Sequence, residues 1–175
     1  TACAHSAGSI VWSAALAAAM GAVLIQIGAN FANDLYDYKK GADNSQRLGP
    51  IRAVLAGLIS EPQMKIGIAL VFGLAILVGC YLTYIAVWPV VAIGVASIIA
   101  ALAYTAGPYP IGYNGLGEIF VIIFFGFVAV CGTCFVQIGR VTSLALTSSI
   151  NPGVLAAAIL VVNNVRDVTN DATSG

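Results

Sequence analysis

Lys65-Ile-Gly-Ile-Ala-Leu-Val-Phe-Gly-Leu-Ala-Ile-Leu-Val-Gly-Cys-Tyr-Leu-Thr-Tyr84 carries one charge, at its first residue. About 20 such residues wound as a helix cross the roughly 30 Å hydrocarbon core of a bilayer. Four more stretches have this character, at roughly 10–32, 86–104, 119–138 and 150–163. Tyr81, Tyr84 and Trp88 gather at the turn near Ile85, where interfacial aromatics belong. Asn151-Pro152 supplies a helix start for the last, shorter stretch. The composition agrees: 60% of residues are hydrophobic, 8% are charged, and mean hydropathy is +0.97. A soluble domain carries about 25% charged residues. The expected fold is all-α, a polytopic transmembrane helix bundle with about five spans. Gly and Ala recur in every span, and small residues let membrane helices approach closely.

Thr1 opens on no basic leader, and Thr173-Ser174-Gly175 stops just past a polar cluster. Both ends are read as cuts in a longer protein, so 1–175 is expected to be part of a membrane-embedded domain. The four cysteines offer no disulfide framework. Cys131-Gly-Thr-Cys134 has CxxC spacing, but its apolar flanks lack the second pair or βαβ setting of a metal or redox motif. Packing is the expected role. His5, alone near one end, is assigned nothing. The balanced net charge of zero does not identify a partner, and no nucleic-acid partner is expected.

Five of the seven acidic residues fall in two clusters at span ends. The first, within 30–43, holds Asn30, Asn33, Asp34, Asp37 and Asp43. The second, within 163–171, holds Asn163, Asn164, Asp167 and Asp171. Acids at the margin of a span are costly and read as functional unless they are partnered. If the first span stays helical, Gln26, Asn30, Asp34 and Asp37 form one stripe at i, i+4, i+8 and i+11. Asn163, Asp167 and Asp171 repeat the pattern. Lys39, Lys40, Arg47, Arg52 and Lys65 make the 33–65 segment cytoplasmic by the positive-inside rule. An even number of spans then brings both clusters to that face, joined by the loop 104–118. Only Arg140 falls on the wrong side. Residues 51–60 are read as either a short interfacial helix or a connector along the membrane.

Oxygen donors in such arrays suit Mg²⁺, which keeps several waters and is completed by substrate phosphates. Arg166, Lys39, Lys40, Arg47 and Arg52 are placed to contact phosphate oxygens. Metal binding alone does not call for so many cations, whereas a bridged diphosphate calls for both. The bland alternative is a solvated helix end with local pairs, Asp37 with Lys40 or Asp167 with Arg166. Asp43 fits a turn equally well, within Gly41-Ala42-Asp43-Asn44-Ser45.

Asn33-Asp34-Leu-Tyr-Asp37-Tyr-Lys-Lys-Gly-Ala-Asp43 and Asn163-Asn-Val-Arg166-Asp167-Val-Thr-Asn-Asp171 resemble the two aspartate-rich motifs of intramembrane, UbiA-type prenyltransferases. Three connecting stretches are similar to the 1,4-dihydroxy-2-naphthoate polyprenyltransferase branch of menaquinone biosynthesis. They are Arg47-Leu-Gly-Pro-Ile-Arg52, Gly57-Leu-Ile-Ser-Glu-Pro62 and Tyr104-Thr-Ala-Gly-Pro-Tyr-Pro-Ile-Gly-Tyr-Asn-Gly-Leu-Gly-Glu118. The resemblance implies a bundle of about nine helices, of which this chain holds the second to the sixth. It implies Mg²⁺ held by the catalytic acids Asp34, Asp37, Asp167 and Asp171, with Asn30, Asn33, Lys39, Lys40, Arg47, Arg52, Asn163, Asn164 and Arg166 on a polyprenyl diphosphate. The allylic cation alkylates the naphthoate ring, whose carboxylate is lost. Tyr104, Tyr109, Tyr113, Asn114 and Glu118 are the candidates for contacting 1,4-dihydroxy-2-naphthoate. The site is expected on the cytoplasmic side of a bacterial inner or cell membrane. Asp43 lies six residues after Asp37, where four is commoner, so it stands apart from the ligand set, and Asn170 has no assignment. The bundle is expected to stay open without its missing helices, leaving the isolated fragment inactive.

Other aromatic acceptors, such as hydroxybenzoate, homogentisate, haem or chlorophyllide, share the metal motifs but not the connecting stretches. A cation transporter or channel is the alternative of a different class. Its polar groups belong near mid-span, whereas these acids gather at one end.

Overall fold

The structure, a computed structural model, describes residues 1–41, 52–86 and 88–174, with side chains as far as 166. It is all-helical among these residues. A short helix α1 (Ala2–Ser6) precedes α2 (Trp12–Lys40), α3 (Glu61–Ala86) and α4 (Pro89–Ala103). A 3₁₀ turn at Gly112–Asn114 leads into a continuous span built from α5 (Gly117–Val121), a π-helical segment (Ile122–Val128) and α6 (Ala129–Ile138). The chain ends in α7 (Ser143–Ser174).

Four of these, Trp12–Lys40, Glu61–Ala86, Gly117–Ile138 and Ser143–Arg166, are long and apolar enough to cross a membrane. The outward faces carry exposed Leu16, Leu77 and Ile159, as lipid-facing walls do, and the chain is an integral membrane protein. The expected span at 86–104 is shorter than the rest. Its regular helix has 15 residues, about 22 Å at 1.5 Å per residue. Backbone bonds from Tyr104 to Ala100 and from Ala106 to Leu102 carry the winding slightly further.

One expectation changes and one pair of alternatives is resolved. The helix start expected at Asn151-Pro152 lies instead at Ser143, and Pro152 sits inside α7. The Thr142 hydroxyl accepts the Ala145 N–H at 3.1 Å, so the first turn is capped ten residues before the proline. Proline removes one amide donor, a loss that membrane helices tolerate through neighbouring groups. Of the 51–60 alternatives, the connector is formed. Residues 53–57 make hydrogen-bonded turns in place of a regular helix.

Packing explains how the polar ends are placed. α2 lies along α3, and Ala14, Leu82, Ala86, Val90 and Val136 form one buried cluster between α2, α3, α4 and α6. A second cluster, Leu35, Val54 and Met64, seats the 52–60 connector against α2 and α3. α7 packs on the Gly117–Ile138 span and shares no substantial interface with α2 among the described residues. The two backbones approach closely at Gly126 and Gly153. A Cβ at Gly126 would stand 2.6 Å from the Ser149 carbonyl oxygen, and one at Gly153 would stand 3.0 Å from that of Ile122. Only glycine permits this backbone contact.

Candidate functional site at the paired polar helix ends

The sequence keeps α2 helical through the first motif and then stops it. Gly41 adopts φ +68°, left-handed geometry that suits glycine. Lys39 and Lys40 occupy the last turn, where the helix dipole favours cations. Asp34 and Asp37, three residues apart on one face, are each only 8% exposed. Asp34 Oδ2 accepts the Ala53 N–H at 2.8 Å, and its Oδ1 accepts the Val54 N–H at 3.2 Å. Asp37 Oδ2 pairs with Arg52 Nη2 at 2.9 Å. Its Oδ1 accepts the Tyr113 hydroxyl at 2.6 Å. Removing either member of the Asp37–Arg52 pair takes a charge-assisted hydrogen bond from the other, a cost of about 1.5–3 kcal/mol.

The loop 104–118 is tied to the same end. Lys40 Nζ donates to the Thr105 carbonyl at 2.7 Å and lies 4.6 Å from the centre of the Tyr113 ring. Thr105 Oγ1 donates to Asn33 Oδ1 at 2.9 Å. The loop also reaches the second motif, because Asn164 Nδ2 donates to Glu118 Oε1 at 3.0 Å. Between them stands the half-buried Tyr104. One loop therefore touches both polar ends across the gap between α2 and α7.

Not every expected residue joins this arrangement. Asn30 is exposed and receives a long 3.5 Å bond from Gln26, so the stripe continues above the acids. Lys39 turns to Glu61 at 3.5 Å, a pair more than a third exposed and worth about 0–1 kcal/mol. Tyr109 is exposed, and Asn114 bonds within its own turn to the Pro110 carbonyl at 2.7 Å. Asn163 is half-buried, while Asn164 and Arg166 are exposed. Asp43 and Arg47, and the side chains of Asp167 and Asp171, lie outside the described residues. Thr105 and the amides of Ala53 and Val54 were not anticipated. The only signal for Thr105 was a hydroxyl at the border of a span and a polar loop.

Among the described residues no three carboxylate, imidazole or thiol groups converge as a metal site. The arrangement does concentrate two buried carboxylates, a guanidinium, an ammonium and a phenol at one span end. Such a surface can hold an anionic group while a cation balances its remaining charge.

The whole chain, residues 1–175, matches the model of the UbiA prenyltransferase family. It is 39% identical over 159 residues to a 1,4-dihydroxy-2-naphthoate octaprenyltransferase of Haemophilus influenzae, covering 87% of this chain and 52% of that protein. The protein of the same name from Escherichia coli is 37% identical over 167 residues, covering 92% of this chain and 54% of that one. That from Mycobacterium tuberculosis is 38% identical over 162 residues, with 93% and 55% covered. The chain spans about half the length of these curated relatives. No solved structure matches it. With two polar helix ends bridged by one loop in an apolar bundle, and a match along its entire length, the chain belongs to the UbiA prenyltransferase family.

Proposed function

We propose that this chain carries the diphosphate-binding part of an enzyme that transfers a polyprenyl group from polyprenyl diphosphate to 1,4-dihydroxy-2-naphthoate. The carrying observation is the partly buried Asp37–Arg52 pair, with Lys40 and Tyr113 beside it, linked by the loop 104–118 to Asn164 of the second motif. The family and the names of the relatives support this reading.

The donor chemistry fits magnesium: Asp37 offers hard carboxylate oxygen at a polar helix end that also holds carboxamides, and Mg²⁺ prefers such donors. Asp37, Asp167 and Asp171 would hold it. Bound there, the ion supplies Lewis-acid stabilisation to the leaving diphosphate oxygens. The protein groups do the rest. Arg52 and Lys40 attract and orient the diphosphate. Apolar helix walls hold the isoprenoid tail and keep water from the allylic cation. The carbon–oxygen bond to diphosphate breaks, a carbon–carbon bond to the ring forms, and the ring carboxylate departs as carbon dioxide. Positive charge at this end supports a site on the cytoplasmic side.

Product analysis of the full-length protein in membranes tests the proposal. Polyprenyl diphosphate and dihydroxynaphthoate should give decarboxylated, prenylated product with Mg²⁺ and none in excess chelator. Undiminished product in chelator would contradict the mechanism. Product with hydroxybenzoate but not with dihydroxynaphthoate would reassign the acceptor.

A further inference from the structure

The resemblance treats Asp34 and Asp37 alike, as metal ligands. Their surroundings differ. Asp37 receives side chains, Arg52 and Tyr113, whose bonds a diphosphate or a cation can replace. Asp34 receives backbone. Its two oxygens each take one amide of the connector, Ala53 and Val54, and no substitution at 53 or 54 other than proline alters such a donor. Val54 is itself buried with Leu35 and Met64, so the carboxylate fastens a turn that is also seated by packing. The residue immediately before the fastened pair is Arg52, which this turn delivers to Asp37.

We infer that Asp34 is a positioning residue: it anchors the 52–58 turn through the Ala53 and Val54 amides and so places the Arg52 guanidinium at the diphosphate end of α2. The inference rests on the diphosphate reading for the role of Arg52, but the anchor itself does not. It leaves Asp37, Asp167 and Asp171 as the acids facing the cation. Asp34 acts on the anion, through Arg52.

The test uses the full-length protein with Val54→Cys as its only reactive thiol. In that background the buried thiol should react slowly with a maleimide. Asp34→Ala should speed labelling by about tenfold or more, because the turn loses both acceptors. Asp34→Asn retains one carbonyl oxygen and should fall between, while Arg52→Ala should change the rate by no more than about twofold. An unchanged rate in Asp34→Ala would overturn the anchor. Titration with inorganic pyrophosphate in Mg²⁺ supplies the second readout. Asp34→Ala and Arg52→Ala should each weaken pyrophosphate binding by about tenfold, and the double variant by little more than either. The Mg²⁺ midpoint of Asp34→Ala should stay at that of the unsubstituted protein. A midpoint raised as far as in Asp37→Ala would make Asp34 a direct ligand and overturn the assignment. Absence of pyrophosphate binding in the unsubstituted protein would overturn the diphosphate reading alone, and the labelling rates would still decide the anchor.

Discussion

At the end of α2, Asp34 and Asp37 are clamped by two backbone amides, a guanidinium and a phenol, all brought in by the connector and the loop 104–118. At the end of α7, Asn164 makes one exposed bond to Glu118, and its placement comes from much further back. The backbone contact of Gly153 with the Gly117–Ile138 span lies eleven residues before Asn164, roughly 16 Å along the helix. One polar end is positioned by loops, the other by the packing of its own helix. Perturbations should therefore act on the two ends through different residues and at different distances.

The largest effect is expected at the loop-held end. Asp37→Ala removes a partner shared by Arg52 and Tyr113 and a proposed ligand acid, and turnover of the full-length enzyme should fall by about 10³-fold. A loss below tenfold in steady-state assays would count against a central role for this end. Next comes Gly126→Leu, which inserts a side chain where even a Cβ would stand 2.6 Å from the Ser149 oxygen. Helix separation should lower stability by about 3 kcal/mol, read as a lower melting temperature in detergent. If the comparison holds, Val54→Cys reactivity near α2 should not change in this variant. Smaller still is Tyr113→Phe. Losing the 2.6 Å bond to Asp37 should reduce turnover by about tenfold, equivalent to one charge-assisted hydrogen bond. Asn164→Ala deletes an exposed bond and should change turnover by no more than about threefold. A large effect there would mean that the α7 end also depends on the loop.

The same contrast explains what the amino-acid sequence discloses. Helix length and apolarity are summed over many residues, so the expected 65–84 and 119–138 agree closely with Glu61–Ala86 and Gly117–Ile138. The i, i+4, i+8, i+11 stripe follows from helix periodicity alone, and its lower part is the buried face of α2. Pro152 misled because a local breaker was weighed without the Thr142 cap upstream and without the glycine-lined contact around it. The contacts of Asp34 and Lys40 could not be read at all. Their partners are the amides of Ala53 and Val54 and the carbonyl of Thr105, groups that nearly every residue possesses. Such bonds leave no mark on residue type. The pairing of Tyr113 with Asp37 is half legible, since each residue stands in a polar stretch at a span end, but nothing in their spacing of 76 residues joins them.

Both motifs are proposed to serve one diphosphate. Calorimetric titration of the full-length protein with pyrophosphate in saturating Mg²⁺ tests it directly, comparing Asp37→Ala with Asp167→Ala. Loss of binding in each single variant, with fold retained, is the expected result. Unchanged affinity in either one would show that the two helix ends do not share a site.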